Sequence, residues 1–173
     1  MEEVTTVVLE QAEIISAIDT VWVAICAAII FLMEGGFALL EAGFVRAKNA
    51  MSIIAKVMID IIFGGIAFYL VGFGIAYGAS NGWFALDTGI MSGDLGLGLT
   101  VSNKLFWFIQ LGFAIAAISI VSGAVAERMK LWSYALFVFI FCAVMYPVVA
   151  NWVWNPNGWL AVRGFKDFAG SGA

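Results

Sequence analysis

Three carboxylates sit where carboxylates are costly. Glu34, Glu41 and Asp60 each lie inside an apolar stretch of this 173-residue chain. At the centre of a membrane-spanning helix such a group costs on the order of 2.5–3.5 kcal/mol, and the chemistry open to it is holding a cation or a proton. Glu41 and Asp60 have basic residues close in sequence, Lys56, Arg46 and Lys48, and pairing with these is the favoured reading. Glu34 lies deeper with no such neighbour, so both readings stand for it. Two aromatics, Phe113 and Trp154, offer a different chemistry. A ring face attracts a small cation by about 0.5–2 kcal/mol, although composition alone favours ordinary packing or interfacial anchoring. Asp167 opens the run DFAGSGA, where its short side chain suits a helix N-cap better than direct ligand contact. The chain holds no histidine, which excludes a His-based metal site or relay. No nucleophile–base pair is present either, so the expectation is a protein with no catalytic residue, no metal and no cofactor: not an enzyme.

The elements that must carry these residues follow from composition. The chain is 64% hydrophobic and 12% charged, with mean hydropathy +1.04, far from the roughly 45–50% apolar and 25% charged of a soluble domain. That implies an all-α, polytopic bundle in a lipid bilayer. Nucleic acid is excluded as a partner, because no basic patch offsets the net charge of −4. Cys26 and Cys142 each lie in an apolar run and read as unpaired thiols. The stretch Leu105–Ala126 organises the rest: 22 residues without a charge, enough to cross a hydrocarbon core of about 30 Å. Within it Gly112, Ala116, Ser119, Gly123 and Ala126 recur at spacings of four and three, a stripe of small residues suited to close helix packing in lipid.

In chain order, residues 1–19 are acidic and lack the basic start of a secretory signal; they read as an extracellular N-terminal segment. Spans are expected at about 20–43, 50–77, 105–126 and 131–150, with a fifth starting at Asp167 and stopping short of a crossing. A Gly-rich connection, about 78–104 with Asp87 and Asp94, lacks the Lys-Ser/Thr ending of a phosphate-binding loop and reads as extramembrane. Arg46, Lys48, Arg128 and Lys130 fall on one side of the membrane. By the excess of Lys and Arg in short loops that side is cytoplasmic, which places the N-terminus outside. Trp83, Trp107, Trp152 and Trp159 then gather at the outer interface as an aromatic belt.

Four stretches carry a resemblance: MEGGFALLEAGFVRAKNAMS (Met33–Ser52), IQLGFAIAAISIVSGAVAER (Ile109–Arg128), YPVVANWVW (Tyr146–Trp154) and DFAGSGA (Asp167–Ala173). In order and spacing the chain resembles the ammonium transporter (Amt/Rh) family over nearly everything after residue 30. The resemblance implies eleven helices in two inverted halves, a homotrimer with one pore per subunit, and residues 20–173 as the N-terminal half of that domain. It implies that Phe113 matches the outer-gate phenylalanine and that Trp154 matches the tryptophan holding ammonium by cation–π contact. Asp167 matches the aspartate beneath that site. Glu41 departs from members with tyrosine or cysteine there. The pore histidines, a coordinating serine and a second gate phenylalanine would fall outside this chain. The expected function is transport of ammonium, and of methylammonium, across a plasma or inner membrane in nitrogen metabolism. The alternative is an ammonium sensor using the same domain. A PII-type signalling protein or a fused signalling domain is the implied partner.

Overall fold

The structure, a computed structural model, describes residues 2–85, 95–168 and 170, with side chains from Leu9 onward. It is built of helices: α1 (Glu2–Phe44), α2 (47–77), α3 (Asn103–Ala124), α4 (131–154) and the short α5 (Trp159–Val162). The first four are long and apolar enough to cross a membrane. The expected all-α transmembrane bundle is what forms.

The boundaries differ instructively from those read off the sequence. The first helix does not begin near residue 20 but runs from Glu2. Ser16 Oγ donates to Thr100 O at 2.7 Å and Thr100 Oγ1 donates to Asp19 Oδ2 at 2.6 Å, so the loop before α3 binds the helix where its acidic residues lie. α3 starts two residues early because Ser102 accepts from the Leu105 N–H at 3.3 Å, an N-cap that satisfies one orphan donor. α4 continues past residue 150, so Trp154 is its last helical residue rather than part of an irregular tail. Pro147 does not end the helix, because the π-helical turn Phe141–Met145 just before it absorbs the lost hydrogen bond. Most of the helix expected to open at Asp167 falls outside the described residues: 165–167 carry no regular structure and Phe168 is in a turn. Residues 169 and 171–173, like Asp87 and Asp94, lie outside the described residues.

α2 carries two π-helical turns, Asp60–Gly64 and Phe68–Gly72. Each rotates the register of the residues after it, which lets Asp60 and Phe68 both point inward, fully buried. The core is made by α2, α3 and α4 around Phe68, Tyr77, Ile115, Ile118, Tyr134 and Val138. α1 packs on α3 and α2 along one side only. Its other faces leave residues such as Leu32, Leu39 and Phe44 exposed, as an apolar solvent permits.

Candidate functional site

α3 and α4 bring Phe113 and Trp154 together. Their ring centroids lie 5.8 Å apart with planes inclined at 59°, although 40 residues separate them in sequence. Phe113 is 38% exposed and Trp154 is half-buried against the core. The two rings are in tilted contact with Phe113 open to the surroundings, and aromatic faces of this kind can attract a small cation. Gln110, one turn before Phe113 and so on its side of the helix, keeps a buried Oε1 with no hydrogen-bond partner among the described residues. Asp167 is not part of this pair. It is half-buried on the segment after α5, where its carbonyl accepts from the Gly170 N–H at 3.4 Å.

Polar side chains that the sequence reading missed set the position of Trp154. Asn151 donates to Ala76 O at 3.0 Å and accepts from Ser80 Oγ at 2.8 Å. Asn155 donates to Ala76 O at 3.2 Å and to Gly78 O at 3.1 Å. Both asparagines are buried, and together they lock the C-terminal end of α4 to that of α2. Asparagines flanking a tryptophan in an apolar run were the available signal, since an amide is costly there unless it is paired. Beyond them Trp83 stacks on Trp159 at 5.5 Å, and Trp152 donates its indole N–H to Trp83 O at 2.7 Å. Three of the four expected belt tryptophans therefore cluster. Trp107 stands apart, edge-on to Tyr69 at 5.7 Å.

Of the expected bases only Lys56 acts on Glu41 and Asp60, through its charge, while hydroxyls supply their hydrogen bonds. Arg46 pairs with Glu127, not Glu41: Nη2 to Oε2 is 3.0 Å, with Asn49 Nδ2 donating to the same carboxylate at 2.7 Å. Arg46 and Asn49 hold the Glu127 carboxyl down to about 2. Glu41 Oε2 accepts from Ser122 at 2.7 Å. Asp60 accepts from Tyr134 at 2.6 Å and lies 3.1 Å from Ser119 Oγ, which is also 2.8 Å from Glu34. The reason is geometric: α3 lies against α1 and brings Ser119 and Ser122 within hydrogen-bond reach of the carboxyls. The small-residue stripe divides accordingly. Gly112 and Ser119 are buried against α1, whereas Gly123 is exposed beside Glu41 at the mouth of a cavity of about 460 Å³. Val121, on the same helix, packs against the core.

Residues 21–173 match the model of the Ammonium Transporter Family. The chain belongs to the ammonium transporter family. It is 41% identical over 152 residues to Ammonium transporter 3 of Dictyostelium discoideum, covering 88% of this chain and 34% of that protein. It is 39% identical to Ammonium transporter Amt2 of Archaeoglobus fulgidus, covering 90% and 35%. Among solved structures it resembles a Sensor Amt Protein with TM-score 0.82 and 35% identity, covering 90% of this chain and 40% of that one. It also resembles Mep2 of Candida albicans with TM-score 0.75 and 28% identity, covering 88% and 34%. The chain spans about a third of the length of the curated relatives it matches.

Proposed function

We propose that this ammonium transporter family member carries out transmembrane transport of ammonium nitrogen, with Phe113 and Trp154 forming the outer aromatic site that recruits the cation. The observation that carries this is the pairing of the two rings at 5.8 Å across α3 and α4 with Phe113 open. A bare cation is too costly to move into a low-dielectric bundle. The π faces therefore take over part of its hydration, and the ion must be compensated or deprotonated on entry. In this reading Phe113 gates the entrance, Trp154 holds the ion, and Asp167 supports the site electrostatically from the segment after α5. The protein is not an enzyme: it changes the location of its substrate. It is a multi-pass protein of a plasma or inner membrane, with its N-terminus outside, and it assembles as a homotrimer. A PII-type protein or a fused signalling domain regulates it.

The test is concentration-dependent methylammonium uptake by the full-length protein in vesicles. Trp154→Leu removes a contact worth about 0.5–2 kcal/mol, so the half-saturation concentration should rise about 2- to 30-fold with assembly retained. An unchanged half-saturation concentration with only a lower protein yield would make the rings structural anchors. The likeness to a Sensor Amt Protein supports a second reading, ammonium sensing. Saturable methylammonium binding without uptake in the same vesicles would select it.

A further inference from the structure

One hydroxyl serves two carboxyls in the middle of the bundle. Ser119 Oγ on α3 lies 2.8 Å from Glu34 Oε2 on α1 and 3.1 Å from Asp60 Oδ2 on α2. A serine hydroxyl has a single hydrogen, so it can donate in only one of these two contacts. Were both carboxyls ionised, the other contact would set lone pair against lone pair between buried oxygens. The second contact must instead be a donation into Ser119 Oγ, from a carboxyl that carries a proton.

The partners of the remaining oxygens say which carboxyl that is. Asp60 Oδ1 accepts from the Tyr134 hydroxyl at 2.6 Å. With Ser119 donating to Oδ2, both Asp60 oxygens meet donors, as a buried carboxylate requires. Glu34 is 1% exposed, and its Oε1 has no partner among the described residues. An orphaned carboxylate oxygen in that position is far more costly than the orphaned carbonyl oxygen of a neutral acid.

We infer that Glu34 is a proton-binding site: its proton sits on Oε2 and is donated to Ser119, whose own hydrogen is donated to Asp60. The surrounding groups are consistent with that occupancy. Lys56 on α2 places Nζ 3.4 Å from Val125 O and 5.2 Å from the Tyr134 ring centre. Glu41 on α1 has its own donor in Ser122, and Tyr134 and Cys142 face the cluster from α4. One ammonium against three carboxyls leaves an excess of buried negative charge, which a proton on Glu34 reduces. Among the described residues these carboxyls do not group as metal ligands. The site lies about 9 Å along α3 from Phe113, six residues away, and stands whether or not the rings recruit ammonium.

Infrared spectroscopy of the full-length protein in lipid tests this without any substrate. At neutral pH the wild type should show the carbonyl stretch of a protonated carboxyl, shifted by carbon-13 labelling of glutamate but not of aspartate. Glu34→Gln should abolish it and keep the fold, since the amide can donate to Ser119 in place of the acid. Glu41→Gln should leave it. Asp60→Asn should weaken it at the same pH, because the asparagine amide donates to Ser119 and frees the serine hydrogen for an ionised Glu34. Absence of the band in wild type, its survival in Glu34→Gln, or its loss in Glu41→Gln alone would overturn the assignment. An undiminished band in Asp60→Asn would overturn the exchange through Ser119.

Discussion

Trp154 is held in place by the amides on either side of it. Asn155 satisfies two carbonyls at the end of α2, and Asn151 satisfies one of the same pair. Replacing Asn155 by Ala strands the Gly78 carbonyl in a buried position, at a cost of about 1–3 kcal/mol. The variant should melt at a lower temperature and also lose methylammonium affinity, because the helix end that carries the indole is released. Trp154→Leu should weaken affinity with little change in melting temperature. Comparing uptake and thermal melts of the two variants separates positioning from contact. If Asn155→Ala lowered stability without moving the half-saturation concentration, the asparagine would have no hold on the tryptophan.

Helix against helix, the glycines decide how closely α2 and α4 can lie. A Cβ on Gly72 would run into the Cys142 carbonyl oxygen and meet the Pro147 ring at 3.0 Å, whereas one on Gly65 would touch only Leu111 at 3.9 Å. The first contact is with backbone and cannot be relieved by a rotamer change. Gly72→Ala should therefore cost about 1–3 kcal/mol or more, and Gly65→Ala should be close to neutral, by thermal unfolding in detergent. On α3 the same reasoning separates two glycines that look alike in sequence. A Cβ on Gly112 would meet Ile30 Cγ2 at 2.7 Å, while one on Gly123 would meet only the Glu41 side chain at 3.4 Å. Gly112→Leu should push α1 away from α3 and lower stability more than Gly123→Leu does. Equal effects would show that the buried part of the stripe is not where the two helices meet.

For the molecule as a whole, the two loops that carry Arg46 and Glu127 close the same end of the bundle. Glu127 sits at φ +60, a conformation uncommon outside glycine and asparagine, and this orients its carboxylate toward Arg46 and Asn49. Its carboxyl is held down to about 2 from an ordinary 4.5. Because the folded value is the lower one, the tie contributes stability fully above pH 4.5 and loses it as pH falls through about 2. In Glu127→Gln that part of the acid destabilisation should vanish; melting temperatures of both proteins across this window measure the difference. Identical profiles would mean the pair is a bystander. If this end is cytoplasmic, as the loop charges propose, a cysteine at Met129 should be protected from an impermeant thiol reagent in intact cells. One at Trp83 should react. The reverse pattern would invert the bundle and move the aromatic pair to the inner face.

The class of the protein was legible in the chain alone. Uninterrupted apolar runs of spanning length leave no alternative to helices in lipid, since every backbone group must be satisfied within its own segment. The run IQLGFAIAAISIVSGAVAER and its companions carried the family, and with it Phe113 and Trp154 as candidates. What periodicity could not reach were relations between helices. The 5.8 Å approach of the two rings depends on how α3 and α4 cross, and the seating of α4 on α2 depends on Gly72 and the asparagines at the end of α4. Lys56 is a charge partner of Glu41 and Asp60 as expected, but Arg46 is not and the hydroxyl partners were missed, because nearness in sequence stood in for nearness in space. Ser119 and Ser122 reach those carboxyls first, on a helix some sixty to eighty residues away. A hydroxyl on a helix reads as one more small residue in its own stripe. Only the packing of α1, α2 and α3 sets it between two carboxyls at once.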